Sequence, residues 1–150
     1  LMLTEDEEMI LFLDAETSSL RSLELAGSEQ VATLVGHGLF DYGDDNGPFA
    51  EAKMQHPLAV TDAGERALLV ADSYNDKIRV VDVISGEVSD LDDPEHPDGA
   101  FDCADGAWIP LNEPAGIWAD GTDRVLVVDT NNHRVLEYDL PGRCYKIWAR

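Results

Sequence analysis

Carboxylates recur at a regular spacing in this sequence and are the first candidates for chemistry. Asp14, Asp72 and Asp129 lie 58 and 57 residues apart, and each follows a run of apolar residues. Such a column could ring an axial channel and bind a cation. Asp at a turn also accepts backbone N–H groups, and we favour this structural role because a residue repeated in every unit is first a requirement of the fold. Lys77 and Arg134 are expected to pair with the carboxylates of their own repeats.

Further polar candidates follow two of these carboxylates. Asn75 and Asn132 are expected to hold hairpin turns with a left-handed backbone, which Asn tolerates better than branched residues do. His133 lies in the run NNHR and is expected to be structural, since the four histidines show no HxH or HxxxH spacing and zinc needs three or four converging ligands. The candidate turn or channel residues are therefore Asp72, Asn75, Asp129, Asn132, His133 and Arg134.

Other catalytic and metal motifs are missing from the sequence. An EF-hand register with Gly47 at loop position six would put Tyr42 at position one and Lys53 at position twelve, so that register fails. The sequence has no G-x-S-x-G elbow, no glycine-rich phosphate loop and no CxxC motif. Cys103 and Cys144 are far apart and do not make a disulfide framework. We therefore predict no catalytic residue, no metal and no cofactor, and expect that the chain is not an enzyme.

The charge of the chain excludes several classes of partner. Thirty-one acidic residues stand against ten basic ones, which gives a formal net charge of −21. Such a surface repels nucleic acid and anionic membranes. We interpret the excess of acidic residues as an adaptation to solubility or high salt. The alternative is that it binds a cationic partner or a metal. The first residues are acidic where a signal peptide is basic, so we expect no targeting segment and favour a cytoplasmic location.

The positions of these carboxylates are set by a repeated hairpin. Its best copy is Leu68–Val83, in which two apolar, β-branched runs flank a polar turn, as in a β-hairpin. Fifteen residues separate Pro57 from Asp72, and fifteen separate Pro114 from Asp129. A fixed spacing of proline, apolar strand, Asp turn and second strand is typical of a repeat architecture.

Each repeat offers about four short strands, which is the size of one β-propeller blade. The sequence therefore predicts an all-β, partial propeller of three four-stranded blades. The blades are expected at about residues 1–36, 56–91 and 113–150, with long loops at 37–55 and 92–112. A helical turn around 50–54 is compatible with the pattern. The strand columns place Val70, Val81, Val127 and Tyr138 in the core or between blades.

The repeated segments HPLAV, LLVADSYNDKIRVVD, EPAGI and VLVVDTNNHRVLEYD resemble NHL repeats. The stretches GLFDYGDDNGPFAEAKMQHPLAV and LNEPAGIW are similar to the propeller of proteins that join a thioredoxin-like domain to NHL repeats. The chain departs from the pattern at Ala59, where Gly is usual, and at Asp76, where His or an Arg-like residue is usual. In that family the redox motif lies upstream of the propeller, so the resemblance places no redox chemistry on this chain.

The resemblance implies a non-catalytic interaction or scaffold module of a larger, redox-related protein. The alternative is a metal-dependent propeller enzyme, a lyase or lactonase-like hydrolase with its site in the axial channel. RNA binding, known for some NHL proteins, requires a basic face that this composition does not supply. Because three blades do not close a ring, the outer blades should expose apolar faces, and we expect a protein partner or self-association there.

Overall fold

Short apolar strands alternate with polar turns along the chain and assemble into three sheets. The computed structural model describes residues 1–4, 7–25, 27, 30–64, 67–91, 99–121 and 123–149. Apart from two single 3-10 turns, Ser73–Asn75 and Thr130–Asn132, the regular structure of these residues is all strand. The prediction of an all-β fold with three blade-like sheets is confirmed. None of the helical structure described is long and apolar enough to span a membrane.

The first blade is an antiparallel sheet of four strands in sequence order. Its strands are β1 (Met2–Leu3), β2 (Met9–Asp14), β3 (Ser19–Glu24) and β4 (Val31–Val35). Asp14 ends β2, and the turn that follows leads into β3.

The second blade has five antiparallel strands in the order β5-β9-β8-β7-β6. They are β5 (Gly47–Pro48), β6 (Pro57–Asp62), β7 (Ala67–Asp72), β8 (Lys77–Asp82) and β9 (Glu87–Asp90). The two-residue strand β5 lies inside the segment expected to be a loop. It adds an outer edge to the blade, and an edge strand is one of the positions in a sheet that accept proline.

The third blade has six strands in the order β11-β10-β15-β14-β13-β12. They are β10 (Gly99–Asp102), β11 (Trp108–Pro110), β12 (Pro114–Ala119), β13 (Arg124–Asp129), β14 (Arg134–Asp139) and β15 (Cys144–Ala149). All neighbours are antiparallel except β10 and β15, which are parallel.

The expectation of a loop over 92–112 is wrong for residues 99–110, because β10 and β11 form a hairpin there. Gly99 allows this pairing, since a Cβ at that position would collide with the carbonyl oxygen of Ile109. Cys103, just after β10, forms a disulfide with Cys144 at the start of β15. This cross-link holds the hairpin against β15.

The core lies between successive blades rather than inside any one of them. Strand β7 supplies both interfaces, because its side chains alternate between the two faces of the sheet. Leu68 and Val70 pack towards the first blade, and Leu69 and Ala71 pack towards the third. The predicted core residues Val70, Val81, Val127 and Tyr138 are each 0% exposed, which confirms their assignment. Strand β6 of the second blade lies between β2 of the first blade and β12 of the third.

Candidate functional site

Asp72 ends strand β7 and organises the turn of the second blade. One carboxylate oxygen accepts the backbone N–H of Gln55 at 2.7 Å. The other accepts Asn75 Nδ2 at 2.8 Å and Arg79 Nη1 at 3.0 Å. Burial raises the pKa of Asp72 to about 6, against the lowering effect of the hydrogen bonds from Asn75 and Gln55 and of the charge on Arg79. The carboxylate is 0% exposed and fully engaged, as expected of a residue that holds a turn.

Arg79, rather than the expected Lys77, pairs with Asp72. Its guanidinium is completely buried and also donates to Asn46 Oδ1 at 2.6 Å. Lys77 instead contacts both carboxylate oxygens of Asp44, at 2.7 and 2.8 Å. The spacing misleads because β8 alternates faces, so that residues 77 and 79 both point to the same side and each can reach an acid. Together these two cations tie the connecting segment before β6 to the blade.

Asp129 repeats this geometry in the third blade. Its oxygens accept the backbone N–H of Asn112 at 2.8 Å, Asn132 Nδ2 at 2.9 Å and Arg134 Nε at 2.7 Å. The expected pairing with Arg134 is therefore present. Arg134 also donates to the carbonyl oxygen of Pro110 at 2.7 Å, which connects the turn to strand β11.

Asp14 occupies the same position in the first blade with a weaker set of partners. It accepts the N–H of Thr17 at 3.3 Å and pairs with Arg21 Nη2 at 3.0 Å. Each carboxylate of the column thus has an arginine partner and lies at a turn. These three aspartates close the hairpin turns, and their carboxylate oxygens accept hydrogen bonds from the protein's own donors.

Asn75 and Asn132 lie in the turns as expected, and they hold the turns with their side-chain amides. Both amides donate to the Asp of their own turn, and they also donate to the carbonyl oxygens of Gly43 and Pro110. The expectation of a left-handed backbone on the two asparagines is wrong. That conformation falls on the next residue, Asp76 with φ 56° and His133 with φ 53°, because each asparagine completes the 3-10 turn.

The left-handed residue of each turn also faces the following blade. Ser18 Oγ accepts the backbone N–H of His56 at 3.2 Å, across the first interface. Asp76 Oδ1 accepts the N–H of Glu113 at 2.6 Å, across the second. In both cases the donor directly precedes the proline that opens the next blade. These contacts form an interblade clasp, defined by Ser18–His56 and Asp76–Glu113, that sequence reasoning did not identify.

His133 holds the clasp position of the third blade. No described residue donates to its side chain across an interface, because no described blade follows. Thr130 corresponds to Ser73, whose hydroxyl donates to the carbonyl oxygen of Pro114 at 2.6 Å in the second interface. A depression of about 270 Å³ opens beside Thr130 and His133.

The third blade presents an open apolar face at the same edge. In the second blade Leu69, Ala71 and Ile78 are at most 1% exposed, because they pack on the third. Residues 57 positions later in the third blade form the open face, defined as Leu126, Val128 and Val135, and Val128 is 42% exposed. The first blade carries a corresponding outer face of Ile10, Phe12 and Leu23, which also lies outside both core clusters.

The disulfide between Cys103 and Cys144 was also missed, because sequence separation alone does not show that two strands meet. Such a cross-link persists in oxidising compartments. Among the described residues these two cysteines and Asp139 are the grouping with metal-ligand spacing. Their sulfurs are bonded to each other, so they offer no thiolate to a metal. His96 lies outside the described residues.

Comparison with known proteins identifies the repeat. The family model for the NHL repeat matches residues 111–138. The chain is 36% identical over 134 residues to Protein SUPPRESSOR OF QUENCHING 1, chloroplastic, of Arabidopsis thaliana, which covers 85% of this chain and 12% of that protein. It is 35% identical over 161 residues to NHL repeat-containing protein 2 of Homo sapiens, which covers 96% of this chain and 21% of that protein. The predicted resemblance to NHL-repeat proteins is confirmed.

A solved structure supports the same fold. A chain in the crystal structure of a nidogen/laminin complex superposes with a TM-score of 0.65 at 18% identity, covering 95% of this chain and 44% of that one. At this identity the similarity concerns the fold alone. The chain spans about a fifth or less of the length of the curated relatives named above.

Proposed function

Because this chain is a partial NHL-repeat β-propeller, a segment of the kind found in larger proteins, we propose that it is a non-catalytic interaction module. The single observation that carries the proposal is the open face of the third blade. That face keeps the apolar positions and the turn geometry with which the first and second blades each bind their successor. The apolar side chains of this face are therefore suited to packing against another blade-like sheet.

The partner that we propose in solution is a second copy of the chain. The outer face of its first blade is apolar and has the orientation that a following blade presents. Two copies meeting head to tail in this way would combine three blades with three, and repeating the same contact would close a ring. The net charge of −21 opposes this association, and salt screens that repulsion. We therefore expect the associated fraction to rise with ionic strength.

Sedimentation of the protein at low and high salt tests this proposal. A Val128→Asp variant places a charge on the open face and should remain a monomer at salt concentrations where the parent associates. Ile84→Asp is the matched control, since Ile84 is 66% exposed in a turn away from that face and gains the same charge. A parent protein that stays monomeric at both salts, or two variants that behave alike, would refute the proposal.

The carboxylates of Asp72 and Asp129 do not favour the enzyme alternative. Asp72 and Asp129 are 0% exposed, and each accepts three hydrogen bonds from the protein. A redox-related role, with a thioredoxin-like domain elsewhere in the larger protein, is the context we propose from the resemblance. Elemental analysis of the purified protein separates the two functions, because a stoichiometric, chelator-sensitive metal would favour the enzyme.

A further inference from the structure

A second surface lies on the turn side of the molecule, at the boundary between the first and second blades. A small cleft there, about 150 Å³ in volume, is bordered by Tyr42, His56 and Tyr74, with Glu16 and Gln55 at its edge. The rings of His56 and Tyr74 stack with their centroids 4.4 Å apart and their planes 18° from parallel. Tyr42 and Tyr74 are each more than half exposed. Three aromatic rings and one carboxylate therefore face a common space open to solvent.

The backbone holds these rings in place. Tyr74 donates its N–H to the carbonyl oxygen of Gln55 at 3.1 Å, and the His56 N–H is held by the clasp to the first blade. The segment that carries Tyr42 is fixed at the next residue, because the carbonyl oxygen of Gly43 accepts Asn75 Nδ2 at 2.7 Å. The cleft is thus assembled from both blades and from the connection between them, before any ligand arrives.

The repeat does not require these side chains. At the second interface the residues equivalent to His56 and Tyr74 are Glu113 and Asn131. Asn131 N–H bonds the carbonyl oxygen of Asn112 as Tyr74 N–H bonds that of Gln55. The same backbone arrangement therefore forms without an aromatic pair. The rings of the first interface are an addition to the fold and call for a separate explanation.

The charges around the cleft favour a cation. Two basic side chains on the segments that form the cleft are already paired, Arg21 with Asp14 at 3.0 Å and Lys53 with Asp41 at 2.9 Å. The hydrogen bond and charge of Asp41 raise the pKa of Lys53. Among the described residues Glu16 has no basic partner, so its negative charge is available to a ligand. The net charge of −21 attracts cations to the whole surface.

We propose that this cleft, defined by Glu16, Tyr42, His56 and Tyr74, binds an organic cation of guanidinium or alkylammonium type. Aromatic faces attract such cations through their quadrupole, and each contact at an exposed site contributes about 0.5–1 kcal/mol. Glu16 adds a direct ionic contact. The volume suits the head group of an arginine or lysine side chain, or a free quaternary ammonium ion.

Titrations followed by NMR of the aromatic and His56 resonances test the proposal. Three probes are compared: N-acetylarginine methylamide, tetramethylammonium chloride, and N-acetylcitrulline methylamide, the neutral isostere of the first. We expect saturable shifts in the millimolar range with at least one cation and none with the citrulline compound. Preference for the arginine compound would indicate a protein side chain as the natural ligand. Preference for tetramethylammonium would indicate a free quaternary ammonium ion.

Variants connect the binding to the cleft. Tyr74→Ala should weaken binding about two- to five-fold, the loss of one cation–π contact. Glu16→Gln removes the ionic contact at an exposed site and should weaken binding by up to about five-fold. Asn131→Ala, the equivalent position at the second interface, is the matched control and should bind as the parent does. Equal shifts with the citrulline compound, or undiminished binding by a folded Glu16→Gln variant, would overturn the proposal. Val128→Asp should leave cation binding intact, which separates this site from the proposed self-association.

Discussion

The carboxylate of Asp72 is under two opposed influences, burial and hydrogen bonding, and the balance raises its pKa from 3.8 to about 6. A raised pKa in the folded state means that folding takes up a proton at this group between pH 4 and pH 6. Its contribution to stability is fully present below about pH 3.8 and is lost as the pH rises through 6. Most acids in ion pairs have a lowered pKa, so the stability that they contribute changes with pH in the opposite direction.

We therefore expect the parent protein to gain stability relative to Asp72→Asn as the pH falls from 7 to 4. The gain should approach about 3 kcal/mol, since two pKa units correspond to that free energy. Urea unfolding of both proteins at several pH values measures it. High salt should be present throughout. The net charge of −21 becomes smaller as the pH falls, which reduces repulsion in the folded protein, and salt screens this separate effect. A difference between the two proteins that stays constant with pH would contradict the assignment.

Arg79 and Arg134 allow a matched test of how burial affects the stability that an arginine–carboxylate pair contributes. Arg79 is 0% exposed and contacts the carboxylates of Asp72, Asp90 and Asp44, at 3.0, 3.1 and 3.2 Å. The side chain of Arg134 is 16% exposed and pairs with Asp129 alone. Arg79→Met removes this buried cation from three carboxylates and should cost about 3–5 kcal/mol. Arg134→Met should cost less, as the midpoints of urea unfolding will show, and an equal or reversed order would contradict this account.

At the scale of elements, the hairpin of β10 and β11 depends on its attachment to β15. The parallel pairing of β10 with β15 joins only two residue pairs, and the Cys103–Cys144 disulfide lies beside it. The cross-link closes a loop with a sequence separation of 41 residues. In the chain-entropy account, a disulfide that closes a loop of this size stabilises the folded state by about 4 kcal/mol.

Replacing both cysteines with serine should therefore loosen the hairpin before it affects the blades. Hydrogen exchange should accelerate over residues 99–110, whereas β7 and β8 should stay protected. Overall stability should fall by up to about 4 kcal/mol. Protection that is unchanged over 99–110 would show that the strand pairing holds the hairpin without the disulfide.

The elements also show what the sequence was able to predict. Local patterns identified the three Asp hairpins and the core residues Val70 and Val127, because strand alternation and turn chemistry are read from neighbouring residues. The β10–β15 pairing depends on two segments that are distant in sequence, so no local pattern reports it. Arg79 was missed because Lys77 and Arg79 both point to the same side of β8, and the repeat spacing does not show which of them reaches Asp72. The cleft of Tyr42, His56 and Tyr74 draws on three segments and required the assembled blades.

At the scale of the whole molecule, stability and association are separated between the two faces of one strand. Val127 of β13 is 0% exposed and packs towards the second blade. Its neighbour Val128 is 42% exposed and lies on the open face. Successive side chains of a strand point to opposite faces, so these adjacent residues belong to different interfaces. One interface is filled within the described residues, and the other is the face that we propose binds a second copy.

The same substitution at the two positions should therefore have different consequences. Val127→Asp buries a charge without a partner and should lower the free energy of unfolding by several kcal/mol. Val128→Asp should leave the stability of the monomer within about 0.5 kcal/mol of the parent, as surface changes usually do. It should nevertheless abolish the salt-dependent association. Urea unfolding and sedimentation of both variants measure the two effects. If Val128→Asp destabilised the monomer as much as Val127→Asp, the open face would be part of the folded core, and the blade would have no free surface for a partner.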